Sequence, residues 1–197
     1  KKLAEMVKKY YPNYQTIGCF GRITDLYNKT VDDLKELRAL GYDGITFGVE
    51  TGNDEALAFM NKGFRSSDTI EQAKKLEEAG ISYNFFYLTG ISGAGRGEYG
   101  GRETAKVFNQ LHPQIIESSM LTIYETSELY QEIQKGNWKE ESELEKLAEL
   151  KALIENLTIQ TRIVTDGASN LIQVRGNLPA DKEKLVKYLE RLIATAD

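Results

Sequence analysis

The sequence predicts an α/β fold in which a parallel β-sheet is covered by helices. Amphipathic helices alternate with β-rich strands, and in two units a glycine separates the helix from the strand that follows it. Strands that alternate with helices are joined by right-handed crossovers and therefore run parallel. The 197 residues are 41% hydrophobic and 28% charged, which is the composition of a globular protein with a packed core.

Four strands are predicted, at residues 14–20, 44–49, 82–88 and 114–123. The helix before the second strand starts with a capping box of Thr30 and Asp33. It stops at Gly41, and the same helix-glycine-strand pattern returns at Gly80. An eight-stranded barrel usually needs about 250 residues. Four units therefore predict an open sheet or part of a larger barrel.

The pattern changes after residue 124, where two helices follow one another without a strand between them. The remaining predicted elements are helices at 102–111, 127–134, 142–156 and after Pro179, and strands at 158–164 and 171–174. This change divides the chain into two parts. We predict that residues 1–157 form the helix-covered sheet, either open or part of a larger barrel, and that residues 158–197 form a C-terminal α/β extension packed on it.

Charge and cysteine content exclude several classes of function. The net charge of −5 and the absence of a basic stripe give no support for nucleic-acid binding. No apolar run reaches the length of a membrane span, so a cytoplasmic location is expected. Cys19 is the single cysteine and His112 the single histidine, which excludes an internal disulfide and a multi-cysteine metal site. We therefore predict no metal ligand, and the residues identify no catalytic side chain.

Two strand-to-helix junctions carry candidate ligand-binding side chains, because ligands of parallel sheets bind beyond the carboxyl ends of the strands. In the first, Gly48-Val49-Glu50-Thr51-Gly52-Asn53, Glu50 could accept hydrogen bonds from a sugar diol. Alternatively, Glu50 or Asn53 caps the next helix. In the second, Lys62 precedes Gly63 and could pair with a ligand carboxylate, or simply complement a helix C-terminus.

A third junction, residues 90–101, contains six glycines and the pattern Gly95-Arg96-Gly97-Glu98-Tyr99-Gly100. A dinucleotide fingerprint needs its first glycine at the strand end and an acid at the end of the next strand. Gly95 comes too late and Glu117 too early for that match. A loop that moulds around a ligand, a flexible turn, or an anion-binding nest for a phosphorylated metabolite fits the segment better.

The order and spacing of these junctions resemble the radical S-adenosylmethionine (SAM) superfamily, in particular its coproporphyrinogen-oxidase-like iron-sulfur oxidoreductases. The motifs that carry the resemblance are Gly48-Val49-Glu50-Thr51-Gly52, Met60-Asn61-Lys62-Gly63, Glu78-Ala79-Gly80-Ile81, Leu88-Thr89-Gly90-Ile91-Ser92-Gly93, His112-Pro113-Gln114 and Gly176-Asn177-Leu178-Pro179. The resemblance covers most of residues 16–193. It implies that residues 1–157 form a partial TIM-like (β/α) barrel, with about four parallel strands of a (β/α)6 barrel.

The resemblance also implies a cofactor and the residues that hold it. SAM would lie across the strand ends, with Glu50 at the ribose, Lys62 at the methionine carboxylate, and Leu88 and Gly90 beside the adenine. Thr51 and Ile123 complete the implied cofactor-binding set. Such enzymes hold a [4Fe-4S] cluster on a CxxxCxxC loop, which this sequence lacks. The cluster and an electron donor are therefore expected of the full-length protein only.

Two hypotheses follow for the function. The chain is the SAM- and substrate-binding portion of a radical SAM oxidoreductase, inactive in this form, with a small-molecule cofactor and an unidentified substrate. Alternatively, it is a non-catalytic binding domain on a degenerate radical SAM scaffold, which would also contain too few cysteines. A CxxxCxxC motif upstream of Lys1 in the gene would favour the first hypothesis over the second.

Overall fold

A computed structural model describes residues 1–195, and its centre is one six-stranded sheet. The strands lie side by side in chain order, the first five are parallel, and the sixth runs antiparallel to the fifth. The strands are β1 (Phe20–Gly21), β2 (Ile45–Glu50), β3 (Tyr83–Thr89), β4 (Ile115–Met120), β5 (Thr161–Val164) and β6 (Arg175–Leu178). Because β1 and β6 do not pair, the sheet is an open, partial barrel.

Helices connect the strands and cover one face of the sheet. They are α1 (Lys2–Tyr10), α2 (Val31–Ala39), α3 (Asp54–Phe59), α4 (Ser66–Glu78), α5 (Gly97–Phe108), α6 (Glu128–Gln134), α7 (Glu143–Asn156) and α8 (Lys182–Thr195), with a short 3₁₀ helix at Ile23–Leu26. None of the helices in residues 1–195 has the length and apolar character needed to cross a lipid bilayer. The α/β class and the partial-barrel prediction are thus confirmed.

The predicted helix ends follow local capping rules. Asp33 N–H donates to Thr30 Oγ1 at 3.1 Å, and Thr30 N–H donates to the Asp33 carboxylate at 2.8 Å, which confirms the capping box of α2. After α2 and α4 the chain turns through glycines in the left-handed region, Gly41 with φ 93° and Gly80 with φ 70°. These turns return the chain to the sheet for β2 and β3.

Two strands differ most from their predicted positions, and those predicted at 114–123 and 158–164 are shortened to Ile115–Met120 and Thr161–Val164. The strand predicted at residues 14–20 is reduced to Phe20–Gly21 and one bridge between Ile17 and Tyr42. The strand predicted at 171–174 forms instead at Arg175–Leu178. The reason lies in Thr165, whose N–H donates to the Val174 carbonyl at 2.9 Å and whose hydroxyl accepts from Val174 N–H at 2.7 Å. These bonds close the loop between Thr165 and Val174, so pairing of β6 with β5 begins only at Arg175.

The C-terminal residues extend the same sheet. Strand β5 pairs in parallel with β4, with Ile115 opposite Arg162 and Glu117 opposite Val164. Helix α8 then packs on α7 and β6. The division between residues 1–157 and 158–197 stays a prediction, and positions 196 and 197 of the second part lie outside the described residues.

The two faces of the sheet differ in burial. In β3, the buried residues Tyr83, Phe85 and Tyr87 alternate with half-buried ones at positions 84, 86 and 88. The buried set packs beneath the helices and forms the core together with residues such as Phe108 of α5. Burial of each large side chain stabilises the fold by roughly 1.5–3 kcal/mol. We call the opposite side the open face, and it presents polar groups at the strand ends.

Candidate functional site

Glu50 ends β2 in an uncommon backbone conformation. Its φ is 65°, and the register of β2 against β3 shifts between Gly48 and Glu50. A left-handed conformation in a residue other than glycine is sparsely populated and persists where surrounding structure enforces it. A Cβ atom added at Gly48 would lie 2.9 Å from Glu50 Oε1. The carboxylate therefore folds back over Gly48, on the open face of the sheet.

Lys62 reaches the same place from the loop after α3. Its Nζ lies 3.2 Å from Glu50 Oε1, with 30% of the Lys62 side chain and 16% of the Glu50 side chain exposed. Helix α3 ends at Phe59, and Asn61, with φ 50°, reverses the chain so that Lys62 points back to the strand end. The two residues predicted to bind a ligand thus lie in direct contact.

The capping alternative for Glu50 is resolved by Asn53. The Asn53 side chain is the N-cap of α3 and accepts from Glu55 N–H at 3.0 Å. Thr51 is fully buried, and its hydroxyl lies 3.0 Å from the hydroxyl of Thr104 on α5. Glu50 is therefore free of a capping role, whereas the Thr51 side chain connects β2 to α5.

The other three predicted cofactor residues lie at neighbouring strand ends. Leu88 is half-buried on the open face, opposite Ser119 of β4. Gly90 is buried beneath α7, and its N–H donates to Glu149 Oε2 at 2.5 Å. Ile123 is half-buried three residues beyond the end of β4. Leu88 and Ile123 thus remain accessible to a ligand, and Gly90 is held in place from the helix side.

Three glycines at the start of α5 allow neighbouring groups to approach its backbone closely. A Cβ atom at Gly97 would collide with the Glu141 carboxylate, one at Gly100 with the Ser92 hydroxyl, and one at Gly101 would lie 2.7 Å from the Glu149 carbonyl oxygen. The Gly101 contact lets α5 pack directly on α7, whereas Gly97 lies against the segment before α7 and Gly100 against the loop after β3. Helix α5 begins at Gly97, earlier than the predicted residue 102, because the glycines are inside the helix.

The glycine-rich loop, residues 90–97, is filled by groups of the chain itself. Gly95 N–H donates to Glu145 Oε1 at 2.7 Å, and Ala94 N–H donates to the Lys139 carbonyl at 2.9 Å. An anion nest needs free backbone N–H groups. Two of these donors are engaged, which weakens the phosphorylated-metabolite hypothesis.

An acid cluster, formed by Glu141, Glu149 and Tyr87, lies behind the glycine-rich loop. Glu149 is fully buried and accepts hydrogen bonds from the Tyr87 hydroxyl and from Gly90 N–H. Glu141 is 2% exposed, and neither of its carboxylate oxygens has a hydrogen-bond partner within residues 1–195.

Burial sets the protonation of the acid cluster. Burial raises the pKa of Glu141 to about 7, and burial together with the neighbouring Glu141 charge raises the pKa of Glu149 well above its ordinary value. Burial and the Glu149 carboxyl also raise the pKa of Tyr87. The pair of carboxyls therefore holds at least one proton at neutral pH. Sequence analysis did not identify either acid.

An iron-sulfur cluster does not fit on this chain. Cys19 is the single cysteine, and no group of three or more His, Cys, Asp or Glu side chains in the described residues could hold a metal ion. The [4Fe-4S] cluster that the sequence resemblance implies needs the three cysteine ligands of a CxxxCxxC loop in addition to SAM. In contrast, the Glu50 carboxylate and the Lys62 ammonium are complementary to the diol and the carboxylate of SAM.

Comparison with curated proteins finds two archaeal relatives, and no protein-family model matches the chain. The chain is 24% identical over 165 residues to the tRNA uridine(34) acetyltransferase of Methanocaldococcus jannaschii. It is 23% identical over 165 residues to the protein of the same name from Methanocaldococcus infernus. Each match covers 81% of this chain and 30% of the relative. The chain thus spans less than a third of these relatives.

Three solved structures share the fold. Methanocaldococcus infernus Elp3 with an N-terminal deletion superposes with a TM-score of 0.64 and 18% identity, over 90% of this chain and 42% of Elp3. TsrM from Kitasatospora setae, a radical SAM methyltransferase with cobalamin and a [4Fe-4S] cluster, gives 0.53 and 17%, over 68% and 27%. Methylornithine synthase (PylB) gives 0.52 and 14%, over 97% and 61%. The fold shared with these three structures is therefore a partial TIM-like barrel.

Proposed function

We propose that the chain is the SAM- and substrate-binding portion of a radical SAM enzyme. The observation that carries the proposal is the Glu50 to Lys62 ion pair at the carboxyl end of β2, on the open face of a sheet of the radical SAM type. In parallel α/β folds this edge of the sheet is where ligands bind. Membership of the coproporphyrinogen-oxidase-like group and the oxidoreductase class stay predictions.

Each side of the ion pair matches one part of SAM. The Glu50 carboxylate accepts hydrogen bonds from the two ribose hydroxyls, and the Lys62 ammonium binds the methionine carboxylate. Leu88 contacts the adenine from β3, Gly90 sets the end of that strand, and Ile123 closes the opposite side. The backbone at Thr51 completes the binding edge, since its side chain is already engaged by Thr104.

SAM supplies a 5′-deoxyadenosyl radical when it is cleaved reductively, and this step needs a cluster that the present residues cannot ligate. We assign the cluster, the cleavage and the contact with an electron donor to the full-length protein. This chain binds and orients the cofactor. The Glu50 carboxylate fixes the ribose, and the strained backbone at Glu50 keeps that carboxylate directed to the open face.

The substrate class is suggested by the curated relatives, both of which are named for a modification of tRNA uridine. We therefore select tRNA as the first substrate to test with the full-length protein. The acetyl transfer in their name is not assigned to this chain, which spans 30% of each relative.

A non-catalytic binding domain is the second candidate, and the single cysteine favours it. Reconstitution of the full-length protein with iron and sulfide separates the two functions. For the radical SAM function we expect the absorbance of a [4Fe-4S] cluster, and 5′-deoxyadenosine when SAM and a reductant are added. SAM binding without a cluster or 5′-deoxyadenosine would support the non-catalytic domain. Absence of SAM binding would contradict the first candidate.

A further inference from the structure

The connector between α6 and α7, residues 135–142, rests on the glycine-rich loop through few contacts. The connector is exposed except for half-buried Trp138 and buried Glu141. The Lys139 carbonyl accepts from Ala94 N–H at 2.9 Å, and a Cβ atom at Gly93 would lie 2.8 Å from Trp138 Nε1. The stability of this docking therefore depends strongly on whether the Glu141 carboxyl is protonated.

The buried carboxyl of Glu141 is poorly compensated when it is ionised. Both of its oxygens are buried and without a hydrogen-bond partner in the part of the chain that the structure describes. An ionised group in such a place costs far more than a neutral one. Docking of the connector is thus coupled to a proton on this side chain.

The surrounding charges do not reverse this conclusion. Among the groups that act on Glu141, the negative charge of Glu145 raises its pKa, whereas the neighbouring Glu149 carboxyl and the Gly93 backbone N–H lower it by less than burial raises it. Lys146 favours ionisation, but its Nζ lies 2.7 Å from Glu140, which shares its charge. The N-terminus of α5 at Gly97 also favours a carboxylate. Tyr87 faces Glu149 as a neutral hydroxyl.

We propose that the connector is a proton-dependent latch: it is docked on the glycine-rich loop while Glu141 is protonated, and it is released when Glu141 ionises beside Glu149. No covalent step is involved. The docked connector covers the loop that follows the end of β3. That strand end is held by the hydrogen bond from Gly90 N–H to Glu149.

The direction of the pH dependence follows from linkage. The docked pKa of Glu141 is about 7, compared with 4.5 for an unperturbed carboxyl. Docking is therefore fully favoured below about pH 4.5, weakens as the pH rises, and has lost this contribution above about pH 7. The raised pKa of Glu149 acts in the same direction and extends the loss to higher pH.

The release has a consequence for the cofactor that rests on the proposed function. Tyr87, Leu88 and Gly90 belong to one strand end, and Glu149 holds both Tyr87 and Gly90. Release of the connector removes the Lys139 and Trp138 contacts from Ala94 and Gly93, in the loop that follows this strand end. SAM affinity is therefore expected to fall over the same pH range as docking.

Trp138, the single tryptophan, reports the latch directly. We expect acrylamide quenching of its fluorescence to rise about twofold between pH 5.5 and 8.5 in the wild type. Glu141→Gln keeps a neutral side chain of the same shape and should stay protected at every pH. Glu143→Gln, the same change at an exposed position on α7, should titrate as the wild type does.

Two results would overturn the latch. One is quenching in Glu141→Gln that rises with pH as in the wild type. The other needs no variant: an unchanged hydrogen-exchange protection factor for Ala94 N–H between pH 5.5 and 8.5, while circular dichroism shows an intact fold. SAM binding is measured at both pH values by calorimetry. A pH-dependent Trp138 signal without any SAM binding would contradict the proposed function and leave the latch standing.

Discussion

Gly101→Ala is expected to lower the free energy of unfolding by about 2 kcal/mol, although alanine favours an isolated helix over glycine. The added Cβ atom would lie 2.7 Å from the Glu149 carbonyl oxygen and 3.1 Å from the Leu153 backbone nitrogen. Backbone atoms cannot rotate away as a side chain does. Helices α5 and α7 would have to separate, which opens the core between them. Urea denaturation followed by circular dichroism measures the loss.

Gly18→Ala is the matched control. Its added Cβ atom would have the Gly44 carbonyl oxygen as its nearest neighbour, at 3.6 Å, which is ordinary van der Waals contact. We expect a change within about 0.5 kcal/mol. If Gly101→Ala unfolded at the same urea concentration as Gly18→Ala, the close approach of α5 and α7 would be wrong.

The positions of the central strands and of most helices could be predicted because they depend on local patterns. The capping box of Thr30 and Asp33 and the turns at Gly41 and Gly80 are signals within a few residues of sequence. Strand β3 was predicted to within one residue, since its aromatic run ends at glycine-rich sequence. Strand β6 was misplaced, because its start at Arg175 depends on bonds between Val174 and Thr165, which lies nine residues before Val174.

The role of the glycines could not be predicted from spacing. A glycine that lets a ligand approach and a glycine that lets a helix approach have the same local pattern. Gly52 illustrates this, since a Cβ atom there would lie 2.7 Å from the Thr104 Cα atom of α5. Gly52 belongs to the motif in which the sequence places the ligand-binding Glu50, but the three-dimensional packing puts Gly52 against a helix.

The candidate site was predicted in part, for a similar physical reason. Glu50 and Lys62 were recognised because both lie at strand-to-helix junctions, where parallel sheets bind ligands. Glu149 was missed because it lies within a helix, although the leucines at 147, 150 and 153 place it on an apolar face. A charged residue among such neighbours is the one signal that could have identified the acid cluster.

Glu50→Gln and Lys62→Met are each expected to weaken SAM binding by about 10- to 100-fold, since each removes a hydrogen bond to a charged group. Their effect on stability should be small, because partly exposed ion pairs contribute about 0–1 kcal/mol. Isothermal titration calorimetry measures the affinity. Glu55→Gln, an equal change of charge at an exposed position on α3, should leave the affinity within about twofold of the wild type.

The two residues can be separated with 5′-methylthioadenosine, which keeps the ribose of SAM and lacks the methionine carboxylate. Glu50→Gln should weaken both ligands to a similar extent, because both present the same diol. Lys62→Met should weaken the binding of SAM alone. It should leave the affinity for methylthioadenosine equal or higher, because Glu50 no longer has to break its ion pair with Lys62, 3.2 Å away, to bind the diol. Equal losses for both ligands in Lys62→Met would mean that Lys62 only positions Glu50 and does not bind the cofactor.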